Sequence, residues 1–167
     1  MTTTEKKDRR LEWGLVTLIL VLLALIVGFV TVMYRSNRPY AQAEEEATAI
    51  AKKYTDLTKV SDFYWFTRDE TYFSLLGADK KGNEIAVIVP KDGNKVTVLN
   101  QKDGLSELAA MQNVAKAYPK EKVKQAKLGI YKEAPVWEVT TTSDSGKVNY
   151  VLVSFDKGEE IKKVSDI

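Results

Sequence analysis

Trp13 to Tyr34 reads WGLVTLILVLLALIVGFVTVMY and contains no charged residue. As a helix, these 22 residues reach about 33 Å, enough to cross a hydrocarbon core of roughly 30 Å. The mid-span polar side chains, Thr17 and Thr31, can bond back to helix carbonyls. Trp13 and Tyr34 stand at the two ends, where amphipathic rings favour the headgroup region, and are the predicted anchor residues. A core helix of a soluble domain is the competing reading. The length of the run and the charge on both flanks argue against it.

The segment reads as a retained anchor. A signal peptide has a shorter apolar stretch and small residues at a cleavage site. Here the run ends in Val32-Met33-Tyr34-Arg35 without an A-x-A pattern. A lipoprotein signal needs a cysteine, and the chain has none. Lys6, Lys7, Arg9 and Arg10 precede the span, against Arg35 and Arg38 immediately after it. That bias predicts a single pass with the N-terminus in the cytoplasm and the C-terminal region outside the cell.

The chain has 167 residues, 25 Lys+Arg and 23 Asp+Glu. After the span the charges nearly cancel, which leaves no footprint for nucleic acid and no polybasic stretch for anionic lipid. His and Cys are absent, so the commonest general base, the commonest transition-metal ligands and the thiol nucleophile are missing. No catalytic residue, metal site or cofactor site is assigned, and the chain reads as no enzyme.

The expected organisation is a polar tail over 1–12, the span over 13–34, a linker over 35–40 and two modules over 41–100 and 101–167. Ser36-Asn37-Arg38-Pro39 is expected to break the helix, because Pro39 lacks a donor and restricts Arg38. A second helix then carries Ala43, Ala47, Ile50, Ala51 and Tyr54 on one face. Strands follow at Lys59–Thr67, Thr71–Ala78, Glu84–Val89 and Lys95–Leu99, each rich in aromatic or β-branched residues and separated by turn residues. A helix over Ser106–Tyr118, with Leu108, Met111, Ala115 and Tyr118 as its stripe, opens the second half. Strands at Lys122–Tyr131, Val136–Thr142, Val148–Phe155 and Glu160–Val164 complete it.

Helix plus four strands thus occurs twice. Gly82 and Gly146 fall in matching turns 64 positions apart, and Gly93 and Gly158 in the next pair, 65 apart. Such a period indicates two copies of one supersecondary unit. The predicted class is α+β, each unit a curled antiparallel sheet with one helix across a face.

The order of parts resembles the TseB-like cell wall elongation regulators, also called the YpmB family. The resemblance rests on the basic tail and single span, the Tyr34-Arg35-Ser36 exit and the acidic, alanine-rich helix. It continues through Ala78-Asp79-Lys80-Lys81-Gly82, Val87-Ile88-Val89-Pro90 and Trp137-Glu138-Val139-Thr140. It implies a single-span protein of Gram-positive bacteria with tandem PepSY-like, cystatin-type modules outside the membrane. It also implies a regulator of peptidoglycan synthesis that contacts a penicillin-binding protein. The alternatives are a PepSY-type protease-inhibitor module and a peptidoglycan-binding module. A glycan contact would be supported by exposure of Trp65 or Trp137. The first module lacks the Asp-Gly-x-x-Gly-type strand ending common in PepSY domains.

Ser143-Asp144-Ser145-Gly146 followed by Lys147 reads as a hairpin turn before it reads as a nucleophile loop. Asp69-Glu70 and Glu159-Glu160 are neighbours in turns, not acids facing each other across a cleft. Asp79 and Asp92 have no EF-hand spacing. The aromatic run Phe63-Tyr64-Trp65-Phe66 is the stretch with surplus apolar area. Strand alternation sets Tyr64 and Phe66 against Phe63 and Trp65. We expect the Tyr64/Phe66 side in the local core. Phe63 and Trp65 are then the candidate partner-binding residues, or the contact with the second module or the first helix.

Overall fold

A computed structural model describes the backbone of residues 3–165 and the side chains of residues 13–33 and 38–165. The Tyr34 anchor side chain lies outside the described residues. The chain divides into two compact units, Met1–Gln42 and Ala43–Ile167.

In the first unit, every described side chain from Trp13 to Met33 is exposed. Thr17 and Thr31 donate their hydroxyls to the carbonyls of Trp13 and Val27, at 2.8 and 2.7 Å. The expected break at Ser36–Pro39 is absent: helix α1 runs from Thr3 to Tyr54 with Pro39 inside it. An interior proline costs about 3 kcal/mol, but its fixed φ is itself helical. The apolar run before it and the Ala and Glu residues after it are strong helix formers, and helix on both sides carries the backbone through.

The second unit holds two antiparallel four-stranded sheets, each with its strands in chain order. The first contains β1 (Leu57–Thr67), β2 (Thr71–Asp79), β3 (Glu84–Pro90) and β4 (Thr97–Asn100). A 3-10 turn at Gln101–Asp103 leads into α2 (Glu107–Ala117), and β5 (Lys122–Tyr131), β6 (Ala134–Thr142), β7 (Val148–Ser154) and β8 (Glu160–Val164) form the second. Gly82 and Gly146 occupy matching turns with φ of +82° and +83°, a conformation in which a Cβ is penalised. This is why the period is visible in the sequence.

Small residues seat both helices. Ala43, Ala47 and Ala51 at the end of α1 pack on Leu57, Phe63, Leu75, Ile85, Val87 and Val89 of the first sheet. Tyr54 is 62% exposed and does not join that face. On α2, capped by the Ser106 hydroxyl accepting from the Ala109 N–H at 3.2 Å, the buried residues are Ala110 and Val114. The stripe expected through Leu108 and Ala115 is therefore displaced by one residue, about 100° round the helix. Leu108 is 64% exposed. Ala110 lets the helix approach the sheet closely, while Met111 and Tyr118 pack from the flank.

The two sheets share a core. Tyr64, Leu76, Ala86 and Ile88 of the first sheet pack with Leu128, Trp137, Val139, Val151 and Val153 of the second, together with Ala110 and Val114. The fully buried Ser74 hydroxyl donates to the Leu128 carbonyl of edge strand β5 at 2.8 Å. That contact covers an edge that would otherwise be free to pair with another chain.

Candidate interaction surface

Tyr64 and Phe66 are core residues, as expected of that side, but their core is the one shared with the second sheet. Phe63 and Trp65 point to the helix side of the first sheet: Phe63 is buried beneath α1, stacked 6.0 Å from Phe73, and Trp65 meets Phe73 edge-on at 5.2 Å. Tyr64 and Phe66 make the contact between sheets. Tyr64 meets Trp137 edge-on at 5.6 Å and donates its hydroxyl to Glu107 Oε2 at 2.8 Å. Phe66 clusters with Tyr131, Val136 and Leu152. Alternation shows that the two pairs oppose each other. It does not show which side the helix covers, because register irregularities near Lys59 and Asp62 fall between α1 and the run.

Burial separates the two candidate residues. Phe63 is 9% exposed, whereas Trp65 is half-buried and keeps a flank at the surface. Trp13 lies at the start of the apolar helix, 69% exposed. Trp137, the other ring considered for glycan, is 1% exposed, and its indole N–H donates to the Leu105 carbonyl at 2.8 Å, so it offers no face to a sugar.

The remaining polar motifs are taken up by turns and clamps. The Ser143 hydroxyl accepts from the Lys147 N–H at 3.2 Å within the β6–β7 turn. Asp79 Oδ1 accepts from the N–H groups of Lys81 and Asn83, and its Oδ2 from Asn83 Nδ2. Asp92 holds Asn94 in the same manner. Among the described residues, no group of three acidic side chains could hold a metal ion. Glu70 accepts from the Tyr72 hydroxyl at 2.7 Å, and this bond, with burial, pushes the Tyr72 phenol up to about 12. Glu160 does the same for Tyr118, also to about 12.

Two partly buried ion pairs gave no local signal in the sequence. Arg68, in the β1–β2 turn, donates to Glu138 on β6 and lies over the Tyr150 ring at 4.8 Å, tying the first sheet to the second. Lys163 on β8 donates to Glu121 at 2.7 Å and sits 3.5 Å from the Tyr118 ring centroid. Burial pushes the Glu121 carboxyl up. Hydrogen bonds from Lys163, Thr141 and Asn149 outweigh it and hold the group below its ordinary range.

Two hollows flank edge strand β4. Among the described residues this strand is paired on one side only, and Val98 is 50% exposed. A hollow of ≈ 430 Å³ lies on the helix side, lined by Tyr54, Lys95, Val96 and Val98 among others. Another of ≈ 440 Å³ lies on the side of the second sheet, lined by Leu99, Asp103, Pro135, Phe155 and Asp156 among others.

Residues 46–90 match the cell wall elongation regulator TseB-like domain. That stretch runs from the packed end of α1 to the end of β3. The chain is 29% identical over 147 residues to the "Probable cell wall elongation regulator TseB" of Bacillus subtilis (strain 168), covering 87% of this chain and 91% of that protein. It also superposes on the YpmB protein from Bacillus subtilis with a TM-score of 0.66 and 33% identity, covering 72% of this chain and 95% of that one. The chain belongs to the TseB-like family of cell wall elongation regulators. In this TseB-like chain the matched stretch contains both Phe63 and Trp65, but not β4 or the second sheet.

Proposed function

We propose that this protein is a single-pass, membrane-anchored regulator of peptidoglycan elongation. In this reading the N-terminal tail is cytoplasmic and residues 35–167 lie outside the cell. The two sheets act by contact with a penicillin-binding protein, without chemistry of their own. The observation that carries the reading is the match to YpmB across 95% of that chain's length at 33% identity. The exposed apolar helix supports the anchor, because 21 consecutive exposed residues from Trp13 to Met33 suit hydrocarbon and not water. The polar motifs engaged in turns and clamps support a non-enzymatic role. Of the two candidate aromatics, Phe63 is buried and Trp65 half-buried, which supports Trp65 as the partner contact.

Two measurements test the reading. A C-terminal reporter that works only in the cytoplasm should stay silent, and the protein should co-purify from crosslinked membranes with a penicillin-binding protein. Reporter activity would overturn the orientation. Absence of every cell-wall synthesis protein from the crosslinked material would overturn the regulator role.

A further inference from the structure

We propose that the free edge of β4 is a β-augmentation site, taking an extended segment of the protein partner as an additional strand of the first sheet. The inference rests on the reading of this chain as a protein-contact regulator and specifies the contact.

The sheet edges differ in how they are protected. β5 is covered by the first sheet through Ser74 and carries Lys122, Lys124 and Lys127. β1 has two register irregularities. β8 carries Glu160, Lys162 and Lys163. Charge, irregular register and cover are the devices that stop an edge from accepting another strand. β4, Thr97-Val98-Leu99-Asn100, has none of these and is guarded by its four-residue length alone.

Its surroundings also suit a strand. Val98 pairs with Val87 and so faces the α1 side, while Leu99 pairs with Ala86 and faces the second sheet. The two hollows meet at Val98, which lines both, and extend from this edge one toward the end of α1 and the other toward the second sheet. A strand laid beside β4 sends alternate side chains into alternate hollows. In this mode of recognition, main-chain hydrogen bonds supply affinity and side-chain hollows supply selectivity. Leu99, Pro135 and Phe155 make the hollow toward the second sheet mainly apolar, whereas the other mixes Tyr54, Val96 and Val98 with Thr55, Asn94 and Lys95. Lys95 stands at the start of β4, and Asp103 and Asp156 at its end. The occupant is thus an extended, proline-free segment with alternating apolar side chains. It carries a basic residue at the Asp103/Asp156 end and an acidic one at the Lys95 end.

The test places a photo-crosslinking phenylalanine analogue at Asn100 of the full-length protein in growing cells, with Ile161 of β8 as the control position. Crosslinked peptides are then sequenced. The expected product joins Asn100 to such a segment of one cell-wall synthesis protein. Its yield should fall at least tenfold in Val98→Lys and in Val98→Glu, at a half-exposed position where the melting temperature should hold. Adducts to a cell-wall synthesis protein from Ile161 with none from Asn100 overturn the β4 site and leave the regulator role standing. Adducts between two copies through Asn100 overturn it in favour of self-pairing. Adducts to no such protein from any position overturn both readings.

Discussion

The ring of Phe66 on β1 lies directly over Gly129 on β5, so close that a Cβ at position 129 would fall inside the ring's van der Waals surface. The Phe66 ring packs there directly on the backbone of β5, with no side chain at position 129 between them. Gly129→Ala should therefore destabilise the protein by about 1–3 kcal/mol, the usual range for overpacking. A lowered denaturation midpoint at unchanged m-value checks this. Phe66→Leu combined with Gly129→Ala should restore part of the loss.

Phe66 and Trp65 should separate in their effects. Phe66 is fully buried, and Phe66→Ala should cost about 3–5 kcal/mol. Trp65 is half-buried, and its truncation should cost clearly less than Phe66's. If Trp65 touches a partner, Trp65→Ala should also weaken capture of a penicillin-binding protein by about 2 kcal/mol. Thermal melts paired with pull-down on both variants decide between a structural and a contact role.

The Arg68–Glu138 pair should matter more when broken than when replaced. Its side chains are 23% and 9% exposed. Arg68→Ala leaves Glu138 buried without its cation and should cost about 3 kcal/mol, the low end for breaking a buried pair. Arg68→Met with Glu138→Leu should recover most of that loss. Denaturant titration of the three variants supplies the comparison.

Glu121 sets an acid limb. Its folded carboxyl is held below its ordinary value of 4.5. The unfolded chain thus binds its proton first, and the stabilisation is full above about 4.5 and lost as pH falls through the folded value. Stability measured from pH 6 downward should decline with a shallower slope in Glu121→Gln, which keeps an acceptor for Lys163 but removes the titration.

Much of this architecture could be read from the residues alone, wherever the signal was local. The turns at Gly82 and Gly146 show themselves because positive φ selects glycine, and the strands between them because β-branched and aromatic residues cluster. The span from Trp13 is legible from length and lack of charge. Other features depend on tertiary choice. Pro39 carries a breaker's chemistry, yet helix formers on both sides override it. Leu108 outranks Ala110 in hydrophobicity, but the helix seats itself by its small residues. Phe63 and Trp65 stand out by type. Only the placement of α1 decides that Phe63 is covered while Tyr64 and Phe66 meet the second sheet. The ion pairs of Arg68 and Lys163 join residues 70 and 42 positions apart, beyond the reach of any local pattern. β4 is short and bland as a sequence, and its interest comes wholly from the hollows beside it.

Because each sheet takes its strands in chain order, every strand pairing can close as soon as its hairpin exists. Local closure of this kind shortens the conformational search and favours rapid folding. The first sheet can assemble beneath the alanines of α1 while the second is still being synthesised, since domains fold from the N-terminal end during synthesis. Its Tyr64/Phe66 face then remains exposed until β5 arrives. The interval between those two events is the window in which the nascent chain is most open to misassembly, and the Ser74 and Gly129 contacts with β5 are what close it.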